Sequence, residues 1–361
     1  MVTVAHFSNS GGFRVLICGY YGEHNLGDDA LLAVLLNELE SPWIPVITAR
    51  DQQAVASMTP GLETVNRRSL RSVLQALKEV DVLVLGGGSL LQDSTSTRSL
   101  IYYILLIWRA KLLQKPVVLW GQGLGPLKRR LSKLLVRSTL RIISSVTWRD
   151  SASLNQSMQW KLDIPMMVGP DPVWGHPAPE WKSGSSLILC WRPTPLLSNL
   201  GWLQLINALC EFSEMHDFKV IWLAFHDHQD INLLDDLEQQ RIVPQKLMNR
   251  STTIAAESIP KVQNLFRESR MVIAMRLHAL ILAAIGGVPT SALSYDPKVT
   301  AAADQAKILC TELSNQLSEQ QLVKQWNEAM NSRLNGENIK QLADSARIHS
   351  QVLNNRLKQL L

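Results

Sequence analysis

The sequence predicts an α/β protein made of two parallel-sheet domains that face a cleft. Three observations carry this expectation. Short apolar runs alternate with amphipathic stretches along most of the chain. A proline- and glycine-broken segment interrupts the alternation near the middle, after which it restarts. Finally, 361 residues, 46% hydrophobic and 19% charged, suffice for two well-buried cores.

In the first half, Val15–Cys18, Ile44–Thr48, Val82–Leu85, Val117–Trp120 and Ser145–Trp148 read as strands. Ala30–Leu39, Ser69–Lys78, Leu100–Leu113 and Lys128–Arg141 read as the helices between them. That rhythm is the signature of a parallel sheet covered by helices on both faces. The segment MVGPDPVWGHPAPEWKSG, Met167–Gly184, reads as a linker. Beyond it, Leu187–Trp191, Lys219–Ala224, Met271–Met275 and Thr290–Ser294 are strands. Leu200–Met215, Asp230–Gln240, Ile259–Ser269 and Leu277–Ile285 are helices. The expected divisions are therefore 1–175, 176–320 and a helical tail over 321–361. No repeat of fixed period and no low-complexity tract occurs.

The net charge of +5 and the isoelectric point near 9.0 suit anionic substrates or an anionic membrane surface. They are too mild for a nucleic-acid binder. Cys18, Cys190, Cys210 and Cys310 are widely spaced, which points to free thiols in a reducing compartment and against a zinc site. The opening MVTVAHFSNSGGFR has no long apolar stretch, so no signal peptide is expected. Leu100–Trp108 is too short to span a bilayer. A soluble, cytoplasmic protein is expected. Leu100–Leu113, apolar nearly all round, is either a buried helix or a surface resting on the inner face of the membrane.

In open parallel sheets ligands sit outside the carboxyl ends of the strands, so the loops there are where chemistry is sought. After the first strand comes GYYGEHNLGDD, in which Gly22 and Gly27 allow close approach of a ligand, Asn25 or Asp28 can cap the next helix, and Asp28 and Asp29 supply carboxylates. After the third comes GGGSLLQDSTS, whose Gly87, Gly88 and Ser89 resemble an anion nest without the ending of a P-loop. After the fourth comes GQGLGP, with Gln122 and Gly123, and the next strand ends in Trp148-Arg149-Asp150. Neither glycine loop has dinucleotide-binding spacing. In the second half Arg276 and His278 flank a strand-to-helix junction. A guanidinium there suits a carboxylate or phosphate, and an imidazole suits proton transfer. Tyr295, Asp296 and Lys298 follow the next strand. His226, Asp227, His228 and Asp230 read as loop polarity rather than a metal site.

Together, GYYGEHNLGDDALL, LGGGSLLQDSTSTRSLIYY, WGQGLGP, TWRDSAS, MRLHALILAA and SYDPKV resemble, in this order, the polysaccharide pyruvyl transferase family, specifically its cell-surface (CsaB-like) branch. The resemblance runs from about Val15 to Ala302. It implies a fold similar to the two-domain glycosyltransferase B architecture, with two Rossmann-like domains. It implies transfer of a pyruvyl group from phosphoenolpyruvate to a sugar, with formation of a cyclic ketal and release of phosphate. No cofactor or metal is implied; phosphoenolpyruvate is the donor substrate.

Through these residues the expected division of labour is as follows. Arg276, Arg149 and Lys298 hold the anionic donor with the glycine nests. His278 is the acid, or holds the departing phosphate. Asp28 or Asp29 orients or deprotonates the acceptor. The first domain would serve the acceptor and the second the donor. Expected partners are phosphoenolpyruvate and a sugar acceptor, lipid-linked or a polymer unit; peripheral membrane contact and a homo-oligomer stay open, and nucleic acid is not expected. The competing readings are a glycosyltransferase of the same build that uses a nucleotide sugar, and a non-catalytic binding module.

Overall fold

A computed structural model describes residues 12–360. The N-terminal stretch read as free of a signal peptide lies almost wholly outside the described residues. The chain falls into two compact units. The first comprises the described residues up to Glu23, Asp28–Gly175, and the chain from Asp344 onward. The second comprises His24–Gly27 and His176–Ala343.

The first unit holds seven strands: β1 (Arg14–Tyr21), β2 (Ile44–Ala49), β3 (Glu63–Asn66), β4 (Val82–Leu91), β5 (Val117–Leu124), β6 (Ser145–Trp148) and β7 (Met166–Val168). They form one parallel sheet in the order β3-β2-β1-β4-β5-β6-β7. The strand order reverses between β1 and β4, which is where such sheets open a crevice. The connecting helices are α1 (Leu26–Glu38), α2 (Gln52–Ala56), α3 (Leu70–Glu79), α4 (Thr97–Leu112), α5 (Arg130–Leu140) and α6 (Ser151–Gln159). Local chemistry starts several of them. Ser69 accepts from Ser72 N at 3.3 Å, Ser96 from Ser99 N at 3.2 Å, and Asp150 from Ser153 N at 2.7 Å. The apolar sides of α3, α4 and α5 share one core with Leu16, Leu83, Leu85 and Leu119 of the central strands.

The second unit holds β8 (Ser186–Cys190), β9 (Lys219–Ala224), β10 (Ser251–Ala255), β11 (Met271–Ala274), β12 (Thr290–Ser294) and β13 (Cys310–Glu312), parallel in the order β10-β9-β8-β11-β12-β13. Here the reversal falls between β8 and β11. Its helices are α7 (Asn199–Met215), α8 (Asp227–Asp230), α9 (Leu233–Gln239), α10 (Gln245–Met248), α11 (Ile259–Arg267), α12 (Leu277–Ile285), α13 (Pro297–Ala306) and α14 (Glu319–Asn331). Trp191, Trp202, Trp222, Phe212 and Trp326 fill its core, the last brought by α14.

The structure differs from the sequence reading in several places. Asp230–Gln240 is not one helix, because α8 and α9 are separate short turns on either side of Ile231 and Asn232. The linker begins with the end of β7 and a 3-10 turn at Pro172–Gly175. The glycine loops at Gly86–Ser89 and Gly121–Gly123 are continuations of β4 and β5. Gly87 and Gly88 both take positive φ, +68° and +80°, which bends the strand and shifts its register without ending it. The tail is not a body of its own: α14 packs on α7, and α16 (Ile348–Lys358), reached through α15 (Gly336–Ala346), packs on β5, β6 and β7 of the first unit. There His349 Nε2 lies 2.8 Å from Pro170 O, Trp120 Nε1 donates to Ser350 Oγ at 3.4 Å, and Asn354 donates to Glu38 O at 2.8 Å. Burial pushes the His349 imidazole down to about 4, so it is neutral. Finally, His24–Gly27 belong with the second unit: Leu26 N donates to Phe225 O at 3.2 Å and Asp227 N to His24 O at 3.1 Å. Among the described residues no helix is long and apolar enough to cross a membrane.

Candidate functional sites at the strand ends

In the first unit, the strand ends around the order reversal gather most of the residues expected from the sequence. Arg149 follows β6. Its Nη1 donates to Asp171 Oδ2 at 3.0 Å and its Nη2 to Ser89 Oγ, past the bend of β4, at 3.0 Å. Gly123 must be glycine here, because a Cβ would lie 2.6 Å from Ser89 Oγ and 3.1 Å from Arg149 Nε. Gln122 is fully buried and donates to the carbonyls of Leu85 and Gly87 at 3.3 and 3.1 Å, pinning the bend. Arg149 is thus paired with Asp171 in a buried ion pair.

Across the same reversal, Asp28 Oδ1 lies 3.3 Å from where a Gly88 Cβ would sit. Asp29 accepts from Gly22 N at 3.4 Å. Burial, with the Asp28 carboxylate beside it, pushes the Asp29 carboxyl up to about 7. A carboxyl at that level exchanges its proton near neutrality, which suits general acid–base work. Asn25, just before α1, accepts from Gly27 N at 3.3 Å.

One cluster escaped the sequence reading. Glu23, 4% exposed, forms ion pairs with Arg50 at 3.0 Å, with Arg67, and with Arg68 at 3.7 Å. Arg67 also donates to Tyr103 Oη at 3.1 Å and lies 4.8 Å over the Tyr20 ring. Three guanidiniums thus gather around one carboxylate beyond the ends of β1, β2 and β3. The available signal was Arg67-Arg68 just after Glu63–Asn66, but that stretch was not read as a strand.

In the second unit, Arg276 follows β11 and occupies the N-cap of α12. Its Nε donates to Asp230 Oδ2 at 2.9 Å, and its Nη2 to Asp230 Oδ1 and to Gln229 Oε1, the latter at 3.1 Å. Asp230 also accepts from His226 N at 2.9 Å. Burial, then the nearby Arg276 charge, pushes the His226 imidazole down. His278 sits in the first turn of α12 against the Gly27 backbone. A Cβ on Gly27 would lie 2.2 Å from His278 Nδ1, so only glycine admits the imidazole. At the end of β12, Asp296 caps α13 by accepting from Lys298 N at 3.1 Å, and Lys298 Nζ lies 3.4 Å from its carboxylate. Tyr295 Oη accepts from Arg192 Nη1 at 3.2 Å, and the Arg192 guanidinium lies 4.7 Å over the Tyr295 ring.

Arg192, directly after β8 in CWRPTP, was missed, although TWRD after β6 shows the same Trp-Arg step. It forms no ion pair among the described residues, so its charge is not neutralised by a carboxylate as those of Arg276 and Lys298 are. Arg276, His278, Arg192, Tyr295 and Lys298 therefore lie beyond neighbouring strand ends at the reversal of the second sheet. Cations and an imidazole in that position fit a small anionic ligand. Among the described residues no cluster of three His, Cys, Asp or Glu is arranged to hold a metal ion.

Comparison with known proteins bears on this arrangement. A family model described as polysaccharide pyruvyl transferase matches residues 25–297. A comparison with curated proteins found no match. Among solved structures, the chain is similar to HepE from Anabaena in complex with UDP and glucose, at 14% identity and TM-score 0.60, over 96% of this chain and 98% of that one. It is also similar to the UDP-GlcNAc 2-epimerase of Methanocaldococcus jannaschii, at 13% identity and TM-score 0.61, over 95% and 99%. A UDP-glucosyltransferase from Polygonum tinctorium matches at 13% identity and TM-score 0.54, over 95% and 94%. These likenesses show the fold class: α/β, with two Rossmann-like sheets of glycosyltransferase B-like architecture.

Proposed function

The chain belongs to the polysaccharide pyruvyl transferase family, and from that premise we propose that it transfers the pyruvyl group of phosphoenolpyruvate to a sugar of a cell-surface polysaccharide or its lipid-linked precursor, as in the CsaB-like branch. The product is a cyclic pyruvate ketal, and phosphate is released. The observation that supports this most is the set of Arg192, Arg276, His278 and Lys298 at the strand ends of the second sheet, inside or beside the stretch that matches the family. Phosphoenolpyruvate carries a carboxylate and a phosphate on three carbons, and guanidiniums bind both groups through paired N–H donors. Arg276 keeps one N–H group of its fork for Gln229 besides Asp230, so a bound anion would compete with a neutral amide rather than with the carboxylate.

In the reaction His278 delivers a proton to the methylene carbon, which becomes the methyl group, and positive charge develops at the carbon bearing the phosphate. One sugar hydroxyl adds there. The C–O bond to phosphate breaks, and a second hydroxyl closes the ring. Of the two hydroxyl protons, one replaces the proton His278 gave and the other leaves with phosphate. Asp29, titrating near neutrality, takes or orients an acceptor proton, with Asp28 beside it. Gly88, whose missing side chain leaves room beside Asp28, lets the sugar approach the backbone, whereas Gly22 packs on the Asp51 backbone and Gly87 on Leu31. The first unit thus serves the acceptor and the second the donor, as the likeness to the family suggests for a cytoplasmic enzyme needing no cofactor.

The fold likeness to proteins solved with UDP favours a second reading, a glycosyltransferase using a nucleotide sugar. The experiment that separates them is phosphate release from phosphoenolpyruvate across a panel of sugar acceptors, with thermal shift by phosphoenolpyruvate and by UDP-sugars in parallel. Phosphate release together with stabilisation by phosphoenolpyruvate supports the first reading. Stabilisation by a UDP-sugar alone, without phosphate release, replaces it with the second.

A further inference from the structure

Helices α4 and α5 lie side by side on one face of the first sheet and run the same way. Arg129, at the start of α5, donates to Thr97 Oγ1 at the start of α4, and further along Trp108 Nε1 donates to Thr139 Oγ1 at 3.1 Å. Their inner sides, including Tyr103, Ile107, Val136 and Leu140, are core. Their outer sides are apolar too. Ile101, Leu105, Trp108 and Leu112 recur every three or four residues along α4, and Leu131, Leu134 and Leu135 stand out on α5. Leu112 and Leu131 are 72% and 73% exposed. Single exposed apolar residues are ordinary, but a row across two adjoining helices marks an interaction surface.

The charge around this row is one-sided. From Ser94 to Arg149 the chain holds eleven of its 36 Lys and Arg and none of its 31 Asp and Glu. Arg98, Lys111, Lys128, Arg130, Lys133 and Arg141 are all exposed, and none forms an ion pair among the described residues. A second copy of the chain seated on this face by a two-fold axis would set cations against cations. A bilayer containing anionic lipid matches both features, since acyl chains take up leucine side chains, an indole favours the headgroup boundary, and lipid phosphates attract lysine and arginine.

We propose that the α4–α5 face docks the protein on an anionic phospholipid surface, with the leucines and Trp108 at the acyl boundary and the surrounding basic side chains against the lipid phosphates. This surface is distinct from the strand-end residues assigned to chemistry, and the proposal does not depend on pyruvyl transfer.

The test is co-sedimentation of the full chain with vesicles of phosphatidylglycerol and phosphatidylcholine, against vesicles of phosphatidylcholine alone, at low and high salt. The expected result is binding to the anionic vesicles, weakened by salt. Two triple variants, K128E/R130E/K133E and L131S/L134S/L135S, are each expected to lower that binding by about tenfold or more, with melting temperature and phosphate release on a water-soluble acceptor unchanged. Wild-type protein that stays in solution beside anionic vesicles overturns the proposal, as do variants that sediment like wild type. Loss of a dimer in the leucine variant, without vesicle binding by wild type, assigns the face to a second copy and overturns it equally. Vesicle binding is read without turnover, so its failure leaves the transfer reading intact, and failure of phosphate release leaves the docking surface intact.

Discussion

The two sheets place opposite chemistry at the same topological point. Where the strand order of the first reverses, between β1 and β4, stand the carboxyls of Asp28 and Asp29 and the bare backbone of Gly87 and Gly88. Where the second reverses, between β8 and β11, stand Arg192, Arg276 and His278. Each region also holds a buried arginine–aspartate pair, but the pairs are built differently. Arg149 is locked between Asp171 and Ser89 under Gly123, whereas Arg276 spans a carboxylate and a neutral amide at the mouth of a helix. One architecture thus carries a pair of carboxyls at one order reversal and guanidiniums with an imidazole at the other, and the difference is written in a few residues after each strand.

The largest effect expected from breaking this contrast is at His278. His278→Ala should lower phosphate release by about 10²–10⁴-fold while leaving the melting temperature near that of wild type. Near-normal turnover in that variant would remove the imidazole from the chemistry. Gly27→Ala should act on the same group from the other side, because the added methyl would collide with the ring; a loss of comparable size is expected, and an active Gly27→Ala enzyme would show that the imidazole's position is not critical.

Next come the two arginines. Arg149→Ala and Arg276→Ala each leave a buried carboxylate without its counter-charge and should each cost about 3–5 kcal/mol of stability. They are expected to differ in ligand response: thermal stabilisation by phosphoenolpyruvate should survive Arg149→Ala and vanish with Arg276→Ala, measured under conditions where both variants remain folded. The reverse result would exchange the roles of the two units.

The smallest effect is at Asp29. Its folded-state pKa, about 7, lies above the ordinary carboxylate value of 3.8, so the folded chain binds this proton more tightly than the unfolded one. The group therefore favours folding least above pH 7, and stability should recover as pH falls from 7 towards 4. Asp29→Asn should flatten this part of the stability–pH curve, read by chemical denaturation, and should abolish a rise of turnover through about pH 7. An unchanged pH profile would exclude Asp29 as the titrating group.

Central strands were legible where they are buried on both faces and read as apolar runs, as in Val82–Leu85 and Val117–Trp120; Ser145–Trp148, Lys219–Ala224 and Thr290–Ser294, which also carry polar residues, appear in the structure with the bounds read from sequence. The edge strands were not legible. ETVN, MMV, STTIA and CTE pair on one side only and are half exposed, so no apolar run marks them. That loss propagated to chemistry, because the arginines after β3 were never placed at a strand end and the Glu23 cluster went unseen. Residue identities at Arg276, His278, Asp28 and Asp29 were visible in sequence. Their partners were not, because Asp230 reaches Arg276 from another strand's end, Asp171 reaches Arg149 from the linker, and such pairings depend on sheet order rather than on spacing along the chain.

The return of α16 to the first sheet governs how this protein can be dissected. Ending the polypeptide before Asp344 would leave Trp120 without Ser350 and Pro170 without His349, and would uncover the ground now occupied by Leu353 and Leu357. Neither lobe is a contiguous cassette, so a first lobe expressed alone would need its far terminus supplied in trans as a peptide, or fused through a circular permutation.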